Sequence, residues 1–181
     1  FVFFYFNIHH NNGTHVALEH APGYLYISTH QAYIYPGTGR RDERGIGNVV
    51  NIPLLAGSGS TDLRHVWRHE IEPALRDFQP RLILISAGFD AHRLDPLANL
   101  VLEADDYTWV TTRLVDLAER HAQGRLVRGG GAQVDHAAVC SLALRVVAQQ
   151  VLQKALVPVQ HAQARAHLQR LVQPDGRLAA G

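Results

Sequence analysis

Apolar and polar positions divide this chain into short buried runs and longer helical repeats. The first run, FVFFYF, is aromatic and apolar throughout and breaks at once into the polar stretch NIHHNNGT. A continuous apolar run bounded by turn formers predicts a buried strand over Phe1 to Ile8 that opens into a loop. Asn11-Asn12-Gly13-Thr14 then predicts a turn, with a short helix from His15 to His20 ended by Pro22-Gly23. Tyr24 to Thr29 alternates and reads as a second strand, followed by a long loop, Gln31 to Asn48, rich in glycine. Asn48 to Leu54 predicts another strand. A helix is expected from Asp62 to Phe78, capped by Ser60, Thr61 or Asp62. Its apolar stripe is Leu63, Val66, Trp67, Ile71, Ala74 and Leu75, and Pro73 inside it predicts a bend or a break.

Leu82 to Ser86 predicts a further buried strand. A loop over 91–104, a strongly periodic helix from Glu103 to His121, a short apolar run from Arg125 to Val127 and Gly129-Gly130-Gly131 follow. Ala137 to about Leu171 reads as helix interrupted near Pro158, and the tail PDGRLAAG as disordered. Strands alternating with helices predict a three-layer α/β domain with a mainly parallel sheet. The expected division is a partial domain over 1–157 and a helical extension with a tail over 158–181.

Two strand ends carry the candidate chemistry. In open α/β sheets, ligands bind beyond the carboxyl ends of the strands. His9 and His10 leave the first such end, while Asp90, His92 and Asp95 leave the strand at Leu82 to Ser86. His9 and Asp90 are compatible with metal ligation; the plainer alternative is that they hydrogen-bond loop backbone. Asp95 before Pro96 suits a turn, and His92 a loop-stabilising role. His65 and His69, at i and i+4, have a spacing that can bind metal; with no carboxylate motif beside them, an exposed helical face is expected. The Gly129–Gly131 run lacks the lysine and Ser/Thr of a phosphate-binding loop.

Composition narrows the classes. The 181 residues are 46% hydrophobic and 18% charged, an ordinary globular balance with room for one core. A net charge of +1 argues against direct nucleic-acid binding by bulk electrostatics. Arg40, Arg41 and Arg44 read as a solvated loop. The single cysteine, Cys140, excludes an intrachain disulfide, suits a small core residue, and leads to a cytoplasmic expectation. The apolar opening run is too short for a membrane span, so no membrane partner is expected. A chain that begins with Phe and contains no Met is expected to be a fragment, incomplete at its N-terminus.

The motifs YPGTG (Tyr35 to Gly39), GIGNVVNIPL (Gly45 to Leu54), SAGFDAHRLDPLA (Ser86 to Ala98) and NIHHNNGT together resemble the histone deacetylase superfamily. The nearest flavour is the bacterial and class II branch, with acetoin-utilisation proteins and acetylpolyamine amidohydrolases. The resemblance implies an arginase-like parallel α/β fold and zinc-dependent hydrolysis of an acylated lysine or polyamine. It places zinc on His9, Asp90 and Asn7, an aromatic tunnel wall on Tyr35, and residues near a structural potassium ion at Ser28 and His30, with His10 beside the ligands. Zinc in such a site lowers the pKa of bound water and polarises the carbonyl.

Departures from the family pattern accompany the resemblance. Asn7 offers a neutral amide where the family has a carboxylate, and Asn11 replaces a glycine. Ala132 follows the glycines where the family has an oxyanion-binding tyrosine, and the general-base histidines precede the first residue given. Two function classes therefore stay open: a deacetylase-family hydrolase, and a non-catalytic remnant that at most binds a partner. An arginase-like two-metal site is the weakest reading, because Asn11 and Asn12 stand where further carboxylates are needed.

Overall fold

The computed structural model describes residues 1–96 and 99–130. Five strands form one sheet: β1 (Val2–Phe6), β2 (Leu25–Gln31), β3 (Val49–Leu54), β4 (Ile83–Ala87) and β5 (Leu126–Gly130). Their order is β3-β2-β1-β4-β5, and every pairing is parallel. The expected parallel α/β fold is what forms.

Alternation along β1 sets the layers, because successive side chains point to opposite sheet faces. Val2, Phe4 and Phe6 are buried beneath α2 (Ser60–Val66), α3 (Glu72–Phe78) and α4 (Ala104–Ala122). Phe4 meets Trp67 edge-on at 6.2 Å between ring centroids, and Phe6 meets Tyr107 at 5.1 Å. Tyr5 points the other way, and its hydroxyl lies 3.0 Å from Thr14 of α1 (Asn12–Leu18). Helices thus cover both faces. The chain travels β1, β2, β3 in one direction, returns across the sheet to β4 and continues outward to β5. Beyond β1 and β4 lies the point where the order reverses, the crevice where such sheets place ligands.

Several boundaries differ from the sequence-based expectation. The helix expected at His15 starts at Asn12, because Asn11 caps it by accepting a hydrogen bond from the Thr14 amide at 3.1 Å. The expected NNGT turn is therefore its cap and first turn. β2 continues two residues further than expected, so His30 lies within the strand. The cap of α2 is Gly59, with the Asp62 carboxylate accepting from its amide at 3.0 Å. The helix expected from Asp62 to Phe78 is divided just before Pro73. A π-helical turn, Trp67–Ile71, joins α2 to α3 and leaves Pro73 in the first turn of α3, where a missing N–H costs little. The last strand runs through Gly130, so two of the three glycines belong to the sheet. Among the described residues no helix is long and apolar enough to cross a membrane. The expectations for Cys140, the helix from Ala137, Pro158 and the tail lie outside the described residues.

Candidate functional site at the ends of β1 and β4

β1 stops because Asn7 folds its side chain back onto the chain. Asn7 Oδ1 accepts from the amides of Ile8 at 2.7 Å and His9 at 3.3 Å, a local competitor to the ladder. The turn lifts His9 out of the sheet. On the adjacent strand, Phe6 and Ala87 are register partners, and the Gly88 amide donates to Phe6 O at 2.9 Å. A Cβ on Gly88 would lie 2.5 Å from Asn7 Nδ2 and 2.7 Å from Asp90 Oδ1. Glycine there lets the two strand ends close on each other, and Asp90 is delivered to the first turn. Its Oδ1 accepts from the Ile8 amide at 3.2 Å, and its Oδ2 stands 3.8 Å from His9 Nδ1.

Burial raises the Asp90 pKa above the ordinary carboxylate value, against the lowering effects of the Ile8 amide and His9. The carboxylate is thus incompletely compensated, and 3.8 Å to the imidazole is too long for a hydrogen bond. One carboxylate, one imidazole and one amide oxygen converge, so the donor set suits a cation while lacking a third strong ligand. Among the described residues no three His, Cys, Asp or Glu side chains gather as a metal cage. Asn7 Oδ1 is moreover already engaged by two backbone amides. The Tyr35 ring stands edge-on to His9 at 6.5 Å between centroids and is 82% exposed, so it forms part of an open rim.

His10 turns the opposite way, into the interior. Its Nδ1 lies 2.8 Å from Thr38 Oγ1 and its Nε2 lies 3.1 Å from His15 Nδ1. His30 lies beside it, 4.9 Å between ring centroids, with Nδ1 3.0 Å from Ser28 Oγ and Nε2 3.0 Å from Gly39 O. Gly39, at φ +87°, sits directly on these rings: an added Cβ would fall 2.6 Å from both His10 and His30. The Glu43 carboxylate accepts from the Gly39 amide at 2.9 Å and lies 3.9 Å from His15. Burial, then the neighbouring His30 and His15, push the His10 pKa down to about 4. Burial chiefly lowers that of His30 as well. The loop that carries Tyr35 is therefore docked on a buried imidazole platform.

Asn7, His9, Asp90 and Tyr35 come together, while His10, Ser28 and His30 form the layer behind them. His15, Thr38 and Glu43 join this layer without a signal in the sequence, and nothing in a single chain marks His15 as facing inward. His92 and Asp95 serve the loop: His92 Nδ1 accepts from the Leu94 amide at 3.3 Å, and the Asp95 amide donates to His92 O at 2.8 Å. Asn11 is spent as the α1 cap, which leaves it no part in a second metal site. Arg40 pairs with Asp42 and Arg41 with Glu70, on the exposed surface.

Residues 4–148 match the histone deacetylase domain. The chain belongs to the histone deacetylase family. Histone deacetylase 14, chloroplastic, from Arabidopsis thaliana is 41% identical over 126 residues, covering 67% of this chain and 30% of that protein. The histone deacetylase-like amidohydrolase of Pseudomonas aeruginosa is 38% identical over 145 residues, covering 76% of this chain and 38% of its own length. The solved structure of the histone deacetylase Clr3 superposes with a TM-score of 0.71 at 30% identity, covering 93% of this chain and 30% of that one. The chain thus spans about a third of the length of these deacetylase relatives. Ala132, expected at the family's tyrosine position, lies outside the described residues.

Proposed function

We propose that this chain is the metal-binding portion of a zinc-dependent amidohydrolase that removes an acetyl or related acyl group from an acylated lysine or polyamine. The observation that carries the reading is the convergence of His9 and Asp90 from two strand ends at the reversal point of the sheet, with the carboxylate desolvated and its Oδ2 facing the imidazole. His9 and Asp90 would hold the metal, with Asn7 as a neutral and weaker third donor. Bound zinc would supply an activated water and a polarised acyl carbonyl. Tyr35 would flank the alkyl chain of the acylated amine with its ring face. The Ser28, His10 and His30 layer would keep the Tyr35 loop in place, and Ser28 with His30 is the region proposed for potassium. A cytoplasmic setting is proposed on the lone cysteine.

Two features favour a second reading, a remnant without catalytic activity. Asn7 removes one negative charge from the metal site, and Ala132 cannot donate a hydrogen bond to an oxyanion. Losing one such donor costs about two to three orders of magnitude in rate.

A zinc titration by calorimetry separates the outcomes. Saturable zinc binding of which one equivalent disappears in Asp90→Ala supports the metal site, and deacetylation of an acetyl-lysine peptide can then be assayed. Binding indifferent to Asp90 would sink the metalloenzyme reading and leave the remnant.

A further inference from the structure

His65 and His69 form the one histidine pair that the proposed function leaves unused although the sequence marks it. His65 closes α2, and His69 lies in the π-helical turn Trp67–Ile71. Both side chains are exposed, yet their rings sit against each other, 4.5 Å between centroids and inclined by 43°. Residues four apart on a helix are surface neighbours. Here the rings are already in contact, which puts both imidazoles within reach of one ion.

The contrast with several other histidines is chemical, and His10 and His30 are buried among hydrogen-bond partners. His9 faces Asp90, His15 lies near Glu19 and Glu43, and His92 near Glu103. Neither His65 nor His69 pairs with a carboxylate among the described contacts. The adjacent acidic side chain, Glu70, is taken by Arg41. Two neighbouring imidazoles without a carboxylate are a nitrogen donor pair that suits copper(II), nickel(II) and zinc, copper being held tightest.

From this we infer that His65 and His69 chelate a divalent transition-metal ion on the protein surface, with water in the remaining positions, at a site separate from His9 and Asp90. The two imidazoles are the protein's entire contribution, so the site is a two-ligand chelate of the kind that binds copper more tightly than zinc.

Trp67 lies between the two histidines in sequence, and Trp109 packs against it at 5.5 Å. Copper(II) bound on the turn that carries Trp67 quenches tryptophan emission, which supplies a readout independent of activity. Copper(II) titrated into the full chain should produce saturable quenching. That quenching should be lost in His65→Ala and in His69→Gln, and be retained in Asp90→Ala and in His20→Ala, an exposed control. Circular dichroism checks that each variant is folded, and two different substitutions guard against one that is not. No saturable quenching, its persistence in either pair variant, or its loss in Asp90→Ala or His20→Ala would overturn the assignment.

Discussion

Gly39 offers a sharp test of the histidine platform, because Gly37 in the same loop provides its own control. Both glycines have left-handed backbone, φ +87° and φ +78°. Alanine at either position meets the same steric penalty, roughly 1–2 kcal/mol. It also gains the same relief from a less flexible unfolded chain, about 0.4–1 kcal/mol. Only the surroundings differ: nothing lies within 4 Å of a Cβ on Gly37, whereas one on Gly39 would fall 2.6 Å from His10 and His30. Those rings have little room to retreat, since His10 is held by Thr38 and His15, and His30 by Ser28. Overpacking of this kind costs about 1–3 kcal/mol. Gly39→Ala should therefore be less stable than Gly37→Ala by that amount. In urea melts followed by Trp67 and Trp109 fluorescence, the gap corresponds to a midpoint difference on the order of 1 M. Equal midpoints for the two variants would refute the close docking of the Tyr35 loop on the imidazoles.

Other predictions follow from the same network. The folded pKa of His10, about 4, lies below the unfolded value of about 6.5, so the unfolded chain binds more protons between those limits. The His10 contribution is thus complete above pH 6.5 and falls on acidification, by about 2 kcal/mol at pH 5. Urea midpoints at pH 7 and pH 5 should differ in this sense, and His10→Gln should reduce the difference, with His30 keeping a part of the same sign; a pH-independent midpoint would contradict the burial argument. Asn48 Nδ2 donates to the carbonyls of Leu18, Ala21 and Tyr24 at 2.8, 3.2 and 3.1 Å, tying the α1–β2 turn to the start of β3. Asn48→Ala should cost about 0.5–1.5 kcal/mol by removing this shared part-buried donor, since the Leu18 and Ala21 carbonyls keep backbone partners. Asn48→Asp should be no better, because a carboxylate presents acceptors to acceptors, and a stability equal to that of the unmodified chain would refute the assignment.

Much of this architecture is local information. The apolar run at Phe1 to Ile8, the periodic helix before His121 and the alternation of strands with helices are short-range patterns, and the backbone follows them to within a few residues. The reading of His9 and Asp90 as partners was also accessible, because each stands just past a buried strand. What a linear reading could not supply is strand order. Residues 9 and 90 meet because β1 and β4 are neighbours while β2 and β3 lie to one side, a consequence of how the core packs and not of any local preference. Pro73 shows the same limit: its local rule predicts a bend or a break, but not that the interruption is a π-turn just upstream with Trp67, Ile71 and Leu75 still buried. The imidazole platform is the clearest case. His10, His15, His30 and Glu43 come from four segments with no shared spacing, and burial of the three histidines together gives them their low-dielectric surroundings. A histidine's chemistry is set by its neighbours in space, and only the assembled fold specifies those neighbours.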